Sequence, residues 1–111
     1  MKSLRNLFLV SLFLLSLGGC RSTPAFNFGA YSQAERFYEK REYPKAIAKY
    51  EEYVRENPEG NLAAISYYYM AKSYEGLGQG EKAREIYKKI AKEYPNVVWA
   101  DFAKTRLKEL G

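Results

Sequence analysis

Cys20 is the only thiol in this 111-residue chain, and the chain has no histidine. Those two facts remove much of the usual chemistry. No Ser-His or Cys-His nucleophile can be assembled, and no imidazole is present to ligate a metal. A disulfide within one chain is excluded for lack of a second cysteine. The glycine-rich stretch Gly76 to Gly80, "GLGQG", is not followed by Lys-Ser or Lys-Thr and does not follow a strand, so it reads as a helix turn and not a phosphate loop. Carboxylate pairs such as Glu51 and Glu52 stand among lysines, the pattern of a solvated helix face. We therefore expect no enzyme activity, no cofactor and no metal. What remains is the chemistry of one sulfur close to the N-terminus.

The residues around that sulfur indicate its use. Lys2 and Arg5 precede Leu7 to Leu17, which holds only apolar residues and two serines. This run is too short for a membrane-spanning helix of about 20 residues and has the layout of a secretory signal. Gly18 and Gly19 are followed at once by Cys20. Leu17 to Cys20 resembles a bacterial lipobox: Leu, two small residues, Cys. The resemblance implies that the sulfur receives a diacylglycerol, that residues 1–19 are removed as a lipoprotein signal peptide, and that the new amino group takes a further acyl chain such as palmitate. Two or more chains anchor a protein stably, where one holds it only marginally at about 0.8 kcal/mol per buried CH₂. In double-membraned bacteria an Asp after the cysteine commonly retains such proteins in the inner membrane. Arg21 stands there instead, and the expected location is the periplasmic face of the outer membrane, or the cell membrane of an organism with one membrane. Residues 20–30 read as lipidated cysteine and tether, and residues 31–111 as the folded domain. The tether "RSTPAFNFG" spans roughly 30 Å at full extension.

Without Lys2 and Arg5 the net charge falls from +5 to +3, and the remaining charges alternate in sign along the chain. There is no basic stripe, so nucleic acid is not an expected partner.

The domain carries an internal repeat. Ala34 and Ala71, Phe37 and Tyr74, Ala46 and Ala83, Tyr50 and Tyr87, and Pro58 and Pro95 are each 37 residues apart. Each unit reads as two helices. Ala46, Ile47, Tyr50, Tyr53 and Val54 follow the spacing of one apolar helical face, as do Ala83, Ile86, Tyr87 and Ile90. Pro44 suits a first helical turn, and Asn57-Pro58 and Tyr94-Pro95 end the second helix of each unit. No strand-like alternation occurs, and the class is all-α. A small residue with an aromatic three later, then an Ala with an aromatic four later and a terminating Pro, resembles the tetratricopeptide repeat (TPR). That resemblance implies a short α-solenoid of about two helix-turn-helix repeats with a C-terminal capping helix, Val97 to Leu110, whose Trp99, Phe102, Ala103 and Leu107 cover the last repeat. The family's usual unit has three residues fewer. The longer unit, together with the lipobox, is similar to the BamD (YfiO)-type lipoproteins of outer-membrane β-barrel assembly, in shortened form, and the repeats are also similar to those of the Tol-Pal coordinating protein.

The resemblance further implies a groove lined by the first helix of each unit. Tyr67, Tyr68 and Tyr69 span about 200° of helix and do not share one core face. Tyr67 is in phase with Met70, Ala71 and Tyr74, while Tyr68 is in phase with Ile65, Lys72 and Glu75. With Tyr31, Glu35 and Tyr38 these last four form the expected partner-binding groove. The function implied is a lipid-anchored adaptor for protein–protein interaction in the bacterial envelope, holding β-barrel assembly components or another envelope protein. Alternatives are a periplasmic receptor for extended segments of exported proteins and a Tol-Pal division factor. An array this short is expected to be marginal alone, or completed by self-association or a partner.

Overall fold

The computed structural model describes residues 28–111. The expected signal segment, Cys20 and most of the tether lie outside the described residues. Five helices follow one another: α1 (Phe28–Glu39), α2 (Tyr43–Glu56), α3 (Asn61–Gly76), α4 (Gly80–Glu93) and α5 (Val98–Leu110). No strand occurs among the described residues. Helix α1 starts at Phe28 rather than at residue 31 because Ala30, one turn before Ala34, is already part of the buried face.

Each helix packs on the next, and α3 additionally touches both α1 and α5, whereas α2 and α4 do not meet. The first helices of the units thus form a contiguous inner row, and the second helices splay apart outside it. The alanines at the crossings explain the close approach. Ala34, Ala46, Ala71 and Ala83 are fully buried, and Tyr50 and Tyr87 fill the space they leave. Phe37 and Tyr74 close the open side of each pair, with the Lys45 ammonium 5.6 Å from the Phe37 ring centre and that of Lys82 5.5 Å from Tyr74. Ser66 and Ser73 are buried without penalty, since their hydroxyls donate to the carbonyls of Leu62 (2.6 Å) and Tyr69 (2.8 Å).

The turns repeat as faithfully as the core. In unit one the N–H of Glu42 donates to the Phe37 carbonyl at 2.8 Å and that of Arg41 to Tyr38 at 2.9 Å. In unit two Gln79 donates to Tyr74 at 2.8 Å and Gly78 to Glu75 at 2.9 Å. This is the Schellman arrangement, which places one residue in the left-handed region. That residue is Gly78 at φ 75° in one unit and Arg41 at φ 61° in the other. Between units, Asn57 Nδ2 donates to the Tyr53 carbonyl (3.2 Å), and the Tyr94 hydroxyl donates to the Pro58 carbonyl (2.5 Å), tying the two proline loops together.

Helix α5 repeats the register of α3, but the positions of Tyr67, Ala71 and Tyr74, which face the following helix, are taken by Lys104, Lys108 and Gly111. A further helix would find no apolar stripe there. Ala103 is buried, and Trp99 and Leu107 are half-buried against the last repeat. Phe102 departs from the expected covering role: it is 46 % exposed, because its register is that of Ile65, on the inner row.

Candidate functional site

The inner row builds a cavity between α1 and α3. Its volume is about 250 Å³, and Glu35, Tyr38, Glu39, Tyr50, Ile65 and Tyr69 line it. Glu35 and Glu39 stand one turn apart on α1, and Ile65 and Tyr69 one turn apart on α3. Tyr50, 1 % exposed, reaches the cavity from α2. The aromatic walls are fixed by one another: Tyr38 meets Tyr69 edge-on at 5.0 Å, and Tyr69 lies over Tyr50 at 6.4 Å with only 20° between the planes. Burial pushes the Tyr38 and Tyr50 phenols above their ordinary pKa, so both stay neutral hydroxyls. Among the described residues, neither Glu35 nor Glu39 takes part in an ion pair.

Of the expected groove residues, the cavity gathers Glu35, Tyr38 and Ile65. Tyr31 lies behind them, edge-on to Tyr50 (6.1 Å) and Tyr53 (5.6 Å). Its phenol is pushed up to about 12, first by burial and then by the Glu35 charge. Tyr68 turns toward α5 and does not line the cavity. Its ring packs at the α3–α5 seam against Trp99 (5.2 Å), Tyr87 (5.6 Å) and Phe102 (6.2 Å). Glu75 is likewise engaged within the fold. Its carboxylate accepts from Arg106 Nε (3.3 Å), from the second Arg106 nitrogen and from the Tyr87 hydroxyl, while Arg106 also pairs with Glu109. Burial alone would raise the Glu75 pKa, but the hydrogen bonds from Arg106 and Tyr87 outweigh it and hold the carboxyl below its usual range. Glu75 therefore fastens α5 to α3 and α4 and is not a free groove carboxylate. Lys72 is half-buried, and its charge adds to the field that holds Glu75 ionised. Cys20 lies outside the described residues.

Glu39, Tyr50 and Tyr69 are cavity residues that the sequence reading does not single out. For two of them the signal was present: Glu39 is four residues after Glu35, and Tyr69 is four after Ile65 and three before Lys72, on the same stripe. Tyr50 gave no such signal, since its position in α2 is that of a core aromatic.

No helix among the described residues is long and apolar enough to cross a membrane. Residues 66–96, from the middle of α3 to the loop after α4, match the family model described as Tetratricopeptide repeat. Comparison with curated proteins gives no match to the chain. Residues 66–96 are thus similar to a tetratricopeptide repeat, and the described residues form a short all-α TPR-like solenoid. A repeat of this kind is a protein–protein interaction element.

Proposed function

We propose that the protein is a lipid-anchored adaptor of the bacterial envelope, held through Cys20 at the periplasmic face of the outer membrane and binding an envelope protein through its inner helix row. The observation that carries the binding half is the open, acid-rimmed tyrosine cavity between α1 and α3. Its aromatic walls belong to the core, whereas Glu35 and Glu39 at its rim are exposed and make no ion pair among the described residues. The anchoring half rests on Leu17 to Cys20 and the charged and apolar segments before it. The similarity to BamD-type lipoproteins supports a component of outer-membrane β-barrel assembly as the partner.

Both halves are tested in one host. Cells expressing the wild type, Cys20→Ser or Tyr69→Ala are fed an alkyne fatty acid, fractionated, and their membranes crosslinked. The wild type takes up label, resists alkaline extraction and crosslinks to one stoichiometric partner. Cys20→Ser is unlabelled and is extracted, and Tyr69→Ala is labelled but loses the partner. An unlabelled wild type that washes from membranes defeats the anchor. A partner held equally by Tyr69→Ala defeats the inner-face reading, and a broad spread of unfolded clients favours the peptide-receptor alternative.

A further inference from the structure

We propose that the segment bound by the inner face is extended and cationic, placing one Lys or Arg side chain in the α1–α3 cavity and an apolar side chain, four or five residues away, on Phe102. This rests on the inner face being the binding face and specifies what that face selects.

Size is the first argument. At about 250 Å³ the cavity falls below the roughly 300 to 1,000 Å³ typical of sites for whole small molecules. It matches a single long side chain entering from a chain that lies outside. Charge is the second. Glu35 and Glu39 rim the opening with no cation paired to either among the described residues. An acidic segment would meet two like charges at that opening, and Arg106, on the neighbouring inner helix, is already shared between Glu75 and Glu109. The walls are the third. Tyr38, Tyr69 and Ile65 offer the apolar and ring surface along which a Lys or Arg stem lies while its charged end reaches the carboxylates. This fold already uses lysines over aromatic rings on its outer side, at Phe37, Tyr74 and Tyr67.

Phe102 supplies the second anchor. It is 46 % exposed and supported edge-on by Trp99 at 5.3 Å. Helix axes in contact lie about 8 to 10 Å apart, so a point between α1 and α3 is roughly 15 Å from α5. An extended chain covers that in four or five residues at about 3.3 Å each.

The test uses the full chain in detergent micelles and fluorescein-labelled decapeptides with one Lys and one Leu in a Gly-Ser background, at separations from two to eight residues, read by fluorescence anisotropy. Binding is expected to be tightest at four or five. Replacing Lys by norleucine weakens it about fivefold, in line with a partly exposed ion pair. Glu35→Gln with Glu39→Gln weakens the Lys peptide to the same degree, and combining both changes costs no more than either alone. Added salt weakens the Lys peptide more than the norleucine one. Equal affinity for Lys and norleucine, or unchanged affinity in the Glu35→Gln, Glu39→Gln protein, overturns the inference, as does the absence of saturable binding by every peptide. If charge proves irrelevant but Tyr69→Ala still abolishes capture of the membrane partner, the cationic preference is wrong and the inner-face reading stands. If Tyr69→Ala retains that partner, the inner-face reading itself fails.

Discussion

Replacing Arg41 by glycine should stabilise the fold, although the change removes a charged side chain and adds chain entropy. Arg41 is the one non-glycine residue at positive φ among the described residues, at 61°, and its repeat equivalent Gly78 adopts 75° with the same pair of turn hydrogen bonds. A left-handed conformation costs an L-residue about 1 to 2 kcal/mol. Glycine avoids that cost but loses roughly 0.5 to 1 kcal/mol more entropy on folding. Arg41 is exposed and forms no ion pair among the described residues, so little else is lost. The net gain is about 0.5 to 1 kcal/mol, which in a domain of this size raises the thermal midpoint by roughly 2 to 8 °C. Far-ultraviolet circular dichroism during heating measures it, with urea unfolding as a check that the slope stays constant. Arg41→Asn separates the causes: asparagine tolerates the left-handed region and should recover part of the gain, whereas Arg41→Ala should recover none. A midpoint that falls for Arg41→Gly, or that rises equally for alanine, would refute the conformational reasoning.

The mirror change, Gly78→Ala, should lower stability by about 1 kcal/mol for the same reason, read as a lower urea midpoint. Gly76→Ala acts by contact instead: a Cβ there would collide with the Tyr43 ring, so the ring must move, at about 1 to 3 kcal/mol, and the α1–α2 turn should exchange amide hydrogens faster. The Glu75 carboxyl titrates below its unfolded value, so the stability it contributes is present above the ordinary glutamate pKa of about 4.3 and is lost as pH falls through the lower folded value. Trp99, the only tryptophan, sits on α5 and should report that loosening as a fluorescence change in acid. Glu75→Gln should already be loosened at neutral pH and should lack that acid transition. Ala83→Leu, at a fully buried crossing, should cost about 1 to 3 kcal/mol and broaden the unfolding transition.

Much of this fold was legible in the linear order of residues. The 37-residue register of Ala34, Phe37, Ala46, Tyr50 and Pro58 points to paired helices, because a helix fixes which positions share a face and alanine is small enough for the close crossings seen. The helix ends at Pro58 and Pro95 and the cap at α5 were equally local properties. The cavity was legible only in part. Helical phase places Glu35, Tyr38 and Ile65 on the inner row, but it does not say which neighbour each will meet. Tyr68 and Tyr69 are both in phase with Ile65 and Lys72 and both meet Trp99, and their different roles follow from what else stands opposite: Tyr87 and Phe102 take up Tyr68, while Tyr38 and Tyr50 take up Tyr69. Glu75 is the sharper case. Its partner Arg106 is 31 residues away, and only the docking of α5 turns an apparent groove carboxylate into a structural one. Periodicity along one helix is an intrinsic property of the chain. Pairing across helices depends on how far each rotates and slides on its neighbour, and that is settled only when all the side chains in the layer pack at once.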